Sequence, residues 1–101
     1  MTRFVVVNEQ GPRWDDRRSM REQHGWAEHA AFMDALEASG FVLLGGPLSY
    51  GPRHRALLVV EATDESGVRA RLAEDPWMRD GTLRAVSVEQ WEVLLGKPRL
   101  G

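Results

Sequence analysis

The chain has 101 residues, of which 43% are apolar and 28% are charged, and its formal net charge is −2. These proportions are typical of a soluble globular domain with a modest core, so we expect a single domain over residues 1–101. A basic surface for nucleic acid is not indicated. The absence of cysteine excludes disulfides, thiolate metal ligands and a cysteine nucleophile. No segment is long and apolar enough for a signal peptide or a membrane span, and we therefore expect a cytoplasmic protein without a membrane partner.

The chain begins with a predicted strand and a loop. Residues 4–7 are aromatic and β-branched, which favours a strand. Residues 9–18 are polar and contain a proline, which is typical of a loop. This loop is long for so small a domain.

A helix follows the loop. Ser19 and Glu22 have the spacing of a capping box, so the helix is expected to begin there and to run to about Ser39. Gly40 then takes the left-handed position that ends many helices. Because Gly25 is unfavourable inside a helix, the first turns are expected to be irregular or to begin later.

The middle of the chain predicts a second and a third strand and then a helix. Residues 41–44 and 55–61 are rich in apolar and β-branched side chains, whereas residues 45–54 contain several Gly and Pro and are expected to form a loop. Thr63 or Asp64 is placed to cap the second helix.

The last third predicts the end of that helix and a long final strand. Pro76 is expected to end the helix, because the residue before a proline avoids helical geometry. Residues 83–95 read as an extended segment whose alternation slips near residues 87–90, which suggests a bulge or a bend there.

The predicted order of elements is β-α-β-β-α-β, the ferredoxin-like arrangement of the α+β class. It forms a four-stranded antiparallel sheet with both helices on one face. The other face is rich in apolar strand residues, and burial against a second copy of the chain is the simplest way to cover it. We therefore expect a homodimer built sheet to sheet.

His29 is placed on the apolar face of the first helix. Phe32, Met33 and Leu36 follow it at positions i+3, i+4 and i+7. A histidine in such a position needs a hydrogen-bond partner if it is buried. Asp75 is the candidate partner, brought close only by the fold. A histidine paired with a carboxylate at the floor of a pocket is equipped to move a proton, whereas the alternative is a buried histidine of purely structural value.

Several short motifs occur in one order along the chain. They are residues 28–36, Gly40, residues 46–48, residues 75–77 and a closing strand through Trp91. A His, a Gly-Pro and an Asp-Pro in this order and spacing resemble the YCII-related (YciI-like) family of dimeric α/β-barrel proteins. The resemblance extends over nearly the whole chain, from Phe4 to about Leu95.

The resemblance implies a ferredoxin-like protomer, a homodimer and an active site made of a His and an Asp, which match His29 and Asp75. A family member that acts on chlorinated hydroxyquinones as a dehydrochlorinase implies that such a pair supports proton transfer or elimination. Residues 9–18 and 21–26 depart from the family pattern, which leaves the substrate class open.

The function that these residues favour is a cofactor-independent lyase or isomerase. Asp75 would fix the tautomer of His29, and the other imidazole nitrogen would move a proton on a small carbonyl- or hydroxyl-bearing molecule. Three alternatives stay open: a non-catalytic small-molecule-binding or accessory protein on the same scaffold, a buried structural pair, and the similar antibiotic-biosynthesis-monooxygenase type of barrel. The His and Asp-Pro arrangement argues against the last.

The remaining candidates concern the wall of the pocket and metal binding. Gly46 and Pro47 belong to a glycine turn whose backbone N–H groups can approach a ligand closely, although plain hairpin geometry also explains it. Trp77 has two interpretations, an aromatic wall of the pocket or an anchor at the dimer interface. His24 is expected to be solvated and His54 to lie in a loop, and neither completes a metal site. No metal and no cofactor are expected.

Overall fold

The computed structural model describes residues 1–49 and 51–96. Its strands and helices follow the predicted order, with one additional short helix before the last strand. They are β1 (Thr2–Gln10), α1 (Trp26–Ala38), β2 (Val42–Leu48), β3 (Arg55–Ala62), α2 (Glu65–Leu72), α3 (Pro76–Asp80) and β4 (Leu83–Gln90). Tyr50, in the predicted loop of residues 45–54, and residues 97–101, at the end of the predicted domain, lie outside the described residues.

The four strands form one antiparallel sheet in the order β2-β3-β1-β4, which confirms the predicted ferredoxin-like arrangement. Alternate residues of β1 are buried, beginning with Phe4 and Val6. They pack with Leu36 of α1 and with Val68 of α2 in one apolar core. The helices therefore cover one face of the sheet. No helix within residues 1–49 and 51–96 is long and apolar enough to cross a membrane.

The first strand and the first helix differ from their predicted bounds. β1 continues to Gln10 because it pairs with a neighbour on each side, so the loop begins later than predicted. Ser19 does bind Glu22, since its N–H and its hydroxyl both donate to that carboxylate, but only a short 3-10 turn follows. α1 begins after Gly25, which has a left-handed φ of 80°. The predicted left-handed Gly40 is confirmed, with a φ of 84°.

The glycine-proline segment is part of a strand, not of a loop as predicted. Gly45, Gly46 and Pro47 all lie in β2 and pair with β3. Among the described strands β2 pairs only with β3, so it is an edge strand, where a proline is tolerated because no second strand requires its N–H. A Cβ atom at Gly45 would lie 2.6 Å from the Leu58 side chain, so glycine allows β2 to approach the core closely.

Pro76 begins a helix, whereas the sequence predicted that it ends one. α2 is capped by Asp64, whose carboxylate accepts the Gly67 N–H at 2.8 Å, and it already ends at Leu72. Pro76 then occupies the first position of α3, where a proline loses no hydrogen bond, and Asp75 is the N-cap.

The final strand is shorter than predicted. β4 ends at Gln90, and the segment from Trp91 to Leu95 leaves the sheet after one more bond, from the Trp91 N–H to the Arg3 carbonyl at 2.9 Å. The predicted irregularity is present one residue earlier than expected. Ser87 pairs with Val7 and Ala85 pairs with Asn8, which are consecutive residues of β1. Val86 lies between them without a partner and forms the bulge.

Candidate functional site

The fold brings His29 and Asp75 together, although they are 46 residues apart in the sequence. Nδ1 of the imidazole lies 2.8 Å from Oδ2 and 3.0 Å from Oδ1 of the carboxylate. The Asp75 side chain is only 2% exposed and the His29 side chain 13%. Because a carboxylate accepts hydrogen bonds, we assign a proton to Nδ1. In neutral His29 the other nitrogen, Nε2, is then free to accept a proton.

Asp75 is fixed in place by its position at the start of α3. The backbone N–H of Trp77 donates to Oδ1 at 2.9 Å, as expected for an N-cap carboxylate. The same carboxylate therefore closes the end of a helix and orients the imidazole. Changes at this residue affect both the local fold and the site.

His29 is positioned by the turn that begins α1. Its N–H donates to the carbonyl of Gly25 at 3.0 Å, and that glycine has a left-handed backbone. The indole N–H of Trp77 donates to the carbonyl of His24 at 2.8 Å, just before the turn. A Cβ atom at Gly25 would lie 3.2 Å from the indole nitrogen. Glycine at this position thus permits the contact between α1 and Trp77.

Aromatic rings support the imidazole. Trp77 stacks on His29 with ring centroids 4.0 Å apart and planes 8° apart, and Trp26 lies at 5.9 Å in a tilted arrangement. Trp77 is fully buried within the protomer. It therefore packs against the histidine from within the protomer and is not available as an anchor for a second subunit.

A cavity of about 240 Å³ lies between the sheet and α1. His29, Trp26 and Met33 line it from the helical side, and Gly46, Pro47 and Leu58 line it from the sheet. An engineered apolar cavity of about 150 Å³ is known to bind benzene, so this one has room for a single substituted ring. The structure therefore places the predicted Gly46, Pro47 and Trp77 around the same space as His29, although the two β2 residues contribute as part of a strand.

Asn8 and His54, on the sheet side of this cavity, were not among the predicted site residues. Asn8 follows the strand predicted over residues 4–7, yet it continues the buried alternation of β1 after Val6. His54, expected in a loop, directly precedes β3 and stacks on Trp14 with ring centroids 4.3 Å apart. Burial lowers the pKa of His54, and the positive charge that His29 carries when it is protonated lowers it further. Following the alternation of β1 two residues further would have identified Asn8.

The described residues contain no group of three or more His, Cys, Asp or Glu side chains that could hold a metal ion. His24 is exposed and does not line the cavity. Its backbone carbonyl contributes to the site only by accepting the indole N–H.

Comparison with known proteins agrees with this fold. One similar solved structure is 5-chloro-2-hydroxyhydroquinone dehydrochlorinase from Burkholderia phenoliruptrix AC1100, in complex with 2,5-dihydroxybenzoquinone. It superposes with a TM-score of 0.66 and 24% sequence identity, covering 94% of this chain and 97% of that chain. No curated protein matches the sequence significantly. The sequence model of the YCII-related domain matches residues 2–92, and the chain therefore belongs to the YCII-related family.

Proposed function

We propose that this protein is a cofactor-independent lyase or isomerase that moves a proton on a small carbonyl- or hydroxyl-bearing molecule. One observation carries the proposal: within the described part of the chain, Nε2 of His29 has no hydrogen-bond partner, while the same ring lines the cavity and its Nδ1 is held by Asp75. A buried structural histidine is expected to have both nitrogens paired. A histidine that exchanges protons with a ligand needs one nitrogen free.

The chemistry follows from the assigned tautomer. Nε2 of neutral His29 removes a proton from a carbon next to a carbonyl, or from a hydroxyl, and becomes an imidazolium whose Nδ1 hydrogen bond to Asp75 is retained. The proton then returns to another atom of the ligand, which gives an isomer, or a leaving group departs, which gives an elimination. A positioned base of this kind contributes on the order of 10²–10⁴-fold in rate.

The solved dehydrochlorinase supplies a suitable probe. Its name denotes an elimination, and its bound compound is a single ring that carries carbonyl and hydroxyl groups. The room for one substituted ring beside His29 supports the same class of ligand here. We therefore choose 2,5-dihydroxybenzoquinone as the first compound to test.

The test is exchange of the ring hydrogens of this compound for deuterium, followed by proton NMR in D₂O. Exchange requires protonation of a ring carbon and removal of the original proton, which are the steps assigned to His29. We expect the protein to accelerate exchange and the His29→Asn variant to lose the acceleration, because the Asn amide can still donate to Asp75 but has no second nitrogen. His24→Asn is the matched control, since this histidine lies outside the cavity.

Two results contradict catalysis. Binding of the compound without accelerated exchange supports an accessory or ligand-binding protein. No binding, together with a large loss of stability in His29→Asn, supports a structural pair.

We also propose that the protein forms a homodimer through the outer face of its sheet. Val5 and Leu57 lie on this face around the buried Val59, and the neighbouring residues Leu44 and Trp91 are 53% and 42% exposed. Contiguous apolar surface of this kind marks interfaces, and two-fold dimers are the commonest solution.

The oligomeric state tests this second proposal. Light scattering should give the mass of a dimer for the wild type and a lower mass for Leu44→Glu. Glu28→Lys, on the exposed side of α1, should remain dimeric. A wild-type protein that has the mass of a monomer at every concentration measured by light scattering would contradict the proposal.

A further inference from the structure

The sheet side of the cavity carries a second polar region, formed by Asn8 and His54. Asn8 of β1 is paired with Ala56 of β3, and His54 lies two residues before Ala56. Asn8 continues the buried stripe of β1, and His54, directly before β3, lines the same cavity as Asn8. Both line the cavity that contains His29, which belongs to the helical side. The cavity thus has polar groups on two walls.

Asn8 is a buried amide whose oxygen is unpaired. Its side chain lies on the core-facing stripe of β1, and the residue is only 4% exposed. Within residues 1–49 and 51–96, its Oδ1 atom has no hydrogen-bond partner. Buried polar groups are nearly always paired, and leaving one unpaired is unfavourable. The Oδ1 atom itself is shielded, so the Asn8 amide must turn toward the cavity for a ligand hydroxyl to donate to it and satisfy it.

His54 is held rigidly while its ring nitrogens stay available. Its backbone N–H donates to Oε1 of Gln10 at 2.8 Å, and its carbonyl accepts the Gln10 N–H at 2.9 Å. The ring stacks on Trp14 with planes 10° apart. Neither ring nitrogen is hydrogen bonded to another described residue. The low pKa that follows from burial favours the neutral ring, which has one donor and one acceptor.

We propose that Asn8 and His54 form a ligand-anchoring subsite that binds a hydroxyl group of the substrate, while its reacting carbonyl end lies at His29. The substrate class is then a single-ring hydroxy-carbonyl compound whose hydroxyl group lies away from the reacting carbon. Anchoring the far end fixes the position of the reacting end, and such positioning is a large part of catalysis. The inference rests on the proposed function only for the role of His29.

A matched pair of ligands tests the subsite. 4-Hydroxyacetophenone has a ketone at one end of a ring and a hydroxyl at the other, and acetophenone lacks only the hydroxyl. Isothermal titration calorimetry gives the affinity of each for the wild type and for two variants. Asn8→Leu replaces the amide by an apolar side chain of similar volume, and His54→Phe retains the stacking on Trp14.

We expect the wild type to bind 4-hydroxyacetophenone at least about tenfold more tightly than acetophenone, since each tenfold corresponds to about 1.4 kcal/mol. This preference should disappear in Asn8→Leu and in His54→Phe, while their affinity for acetophenone stays close to that of the wild type. Asn8→Leu should also melt at the same or a higher temperature, because it removes an unpaired buried amide. A purely structural Asn8 would instead give a lower melting temperature.

Three outcomes overturn the inference: no preference for the hydroxyl in the wild type, an unchanged preference in both variants, or equal weakening of both ligands. Deuterium exchange into the methyl group of bound 4-hydroxyacetophenone is measured separately. If exchange is absent but the preference follows Asn8 and His54, the proposed catalysis fails and the subsite stands. If exchange occurs without the preference, the subsite fails and the catalysis stands.

Discussion

Replacing Asp75 with Asn should reverse the tautomer of His29 while leaving the fold nearly intact. Nδ1 lies 3.0 Å from Oδ1 and 2.8 Å from Oδ2, and Oδ1 also accepts the Trp77 N–H at 2.9 Å. An amide here keeps its oxygen toward Trp77, because that bond caps α3. Its NH₂ group then replaces Oδ2 and faces Nδ1 at about the same distance. Two donors cannot face each other that closely, so Nδ1 must become an acceptor and its proton must move to Nε2.

The expected loss of stability is small. A hydrogen bond to a charged group contributes about 1.5–3 kcal/mol and a neutral one about 0.5–1.5 kcal/mol, so Asp75→Asn should cost roughly 1 kcal/mol. Asp75→Ala should cost more, about 2–5 kcal/mol, because it removes the cap of α3 and leaves donors on His29 and Trp77 unpaired. Proton transfer should fall in Asp75→Asn by the factor of about 10²–10⁴ that a positioned base supplies, because Nε2 can no longer accept a proton. It should also fall in Asp75→Ala, where no carboxylate holds the proton on Nδ1.

Long-range proton–nitrogen NMR correlations of His29 report which nitrogen carries the proton, and urea denaturation reports the free energy of unfolding. A proton that remains on Nδ1 in neutral His29 of Asp75→Asn, with unchanged deuterium exchange, would refute the tautomer argument. A stability equal to that of Asp75→Ala would show that the amide oxygen does not cap α3.

Three further predictions concern the supports of the site and the fold. Gly25→Ala should lose about 1–2 kcal/mol in urea denaturation, because its φ of 80° is unfavourable for alanine and the new Cβ would crowd Trp77; unchanged stability would contradict this. The folded pKa of His54 lies below its ordinary value of 6.5, so the unfolded chain binds more protons between the two values and the free energy of unfolding should rise with pH across that interval. This part of the rise should vanish in His54→Phe. Identical pH profiles of unfolding for the wild type and the variant would refute the prediction. The Gly67 N–H holds the pKa of Asp64 below 3.8, so the stability contributed by the ionised carboxylate is present above that pH and is lost as pH falls through the folded value. In thermal melts, Asp64→Asn should have a melting temperature near that of the wild type at neutral pH, because Asn also caps helices. In acid, its melting temperature should fall less than that of the wild type.

Local patterns in the sequence were sufficient for the order of elements and for the buried side of α1. Periodicities of two and of 3.6 residues depend only on neighbouring residues, so they can be read without the fold. The same periodicity could have extended β1 to Gln10, since Asn8 and Gln10 continue its buried alternation. The prediction stopped early because these two residues are polar.

Two errors arose where a local signal has opposite meanings in different contexts. A glycine-proline segment usually marks a turn, but Gly46 and Pro47 lie in β2 because that strand is at the edge of the sheet and pairs only with β3. A proline ends a helix that precedes it and also begins one that follows it, and Pro76 begins α3 because Asp75 caps it. Pairing with a distant strand decides the first case, and the neighbouring N-cap decides the second.

The sequence by itself determined the βαββαβ order, the apolar stripe that carries His29 and the pairing of that residue with an Asp-Pro motif as a hypothesis. Only the tertiary structure decided that Asp75 lies 2.8 Å from the imidazole, that Trp77 is buried behind it, and that Asn8 and His54 share its cavity. The physical reason is that helix and strand patterns are encoded over a few residues. Distances between residues far apart in the chain depend on strand register and on how the helices pack across the sheet.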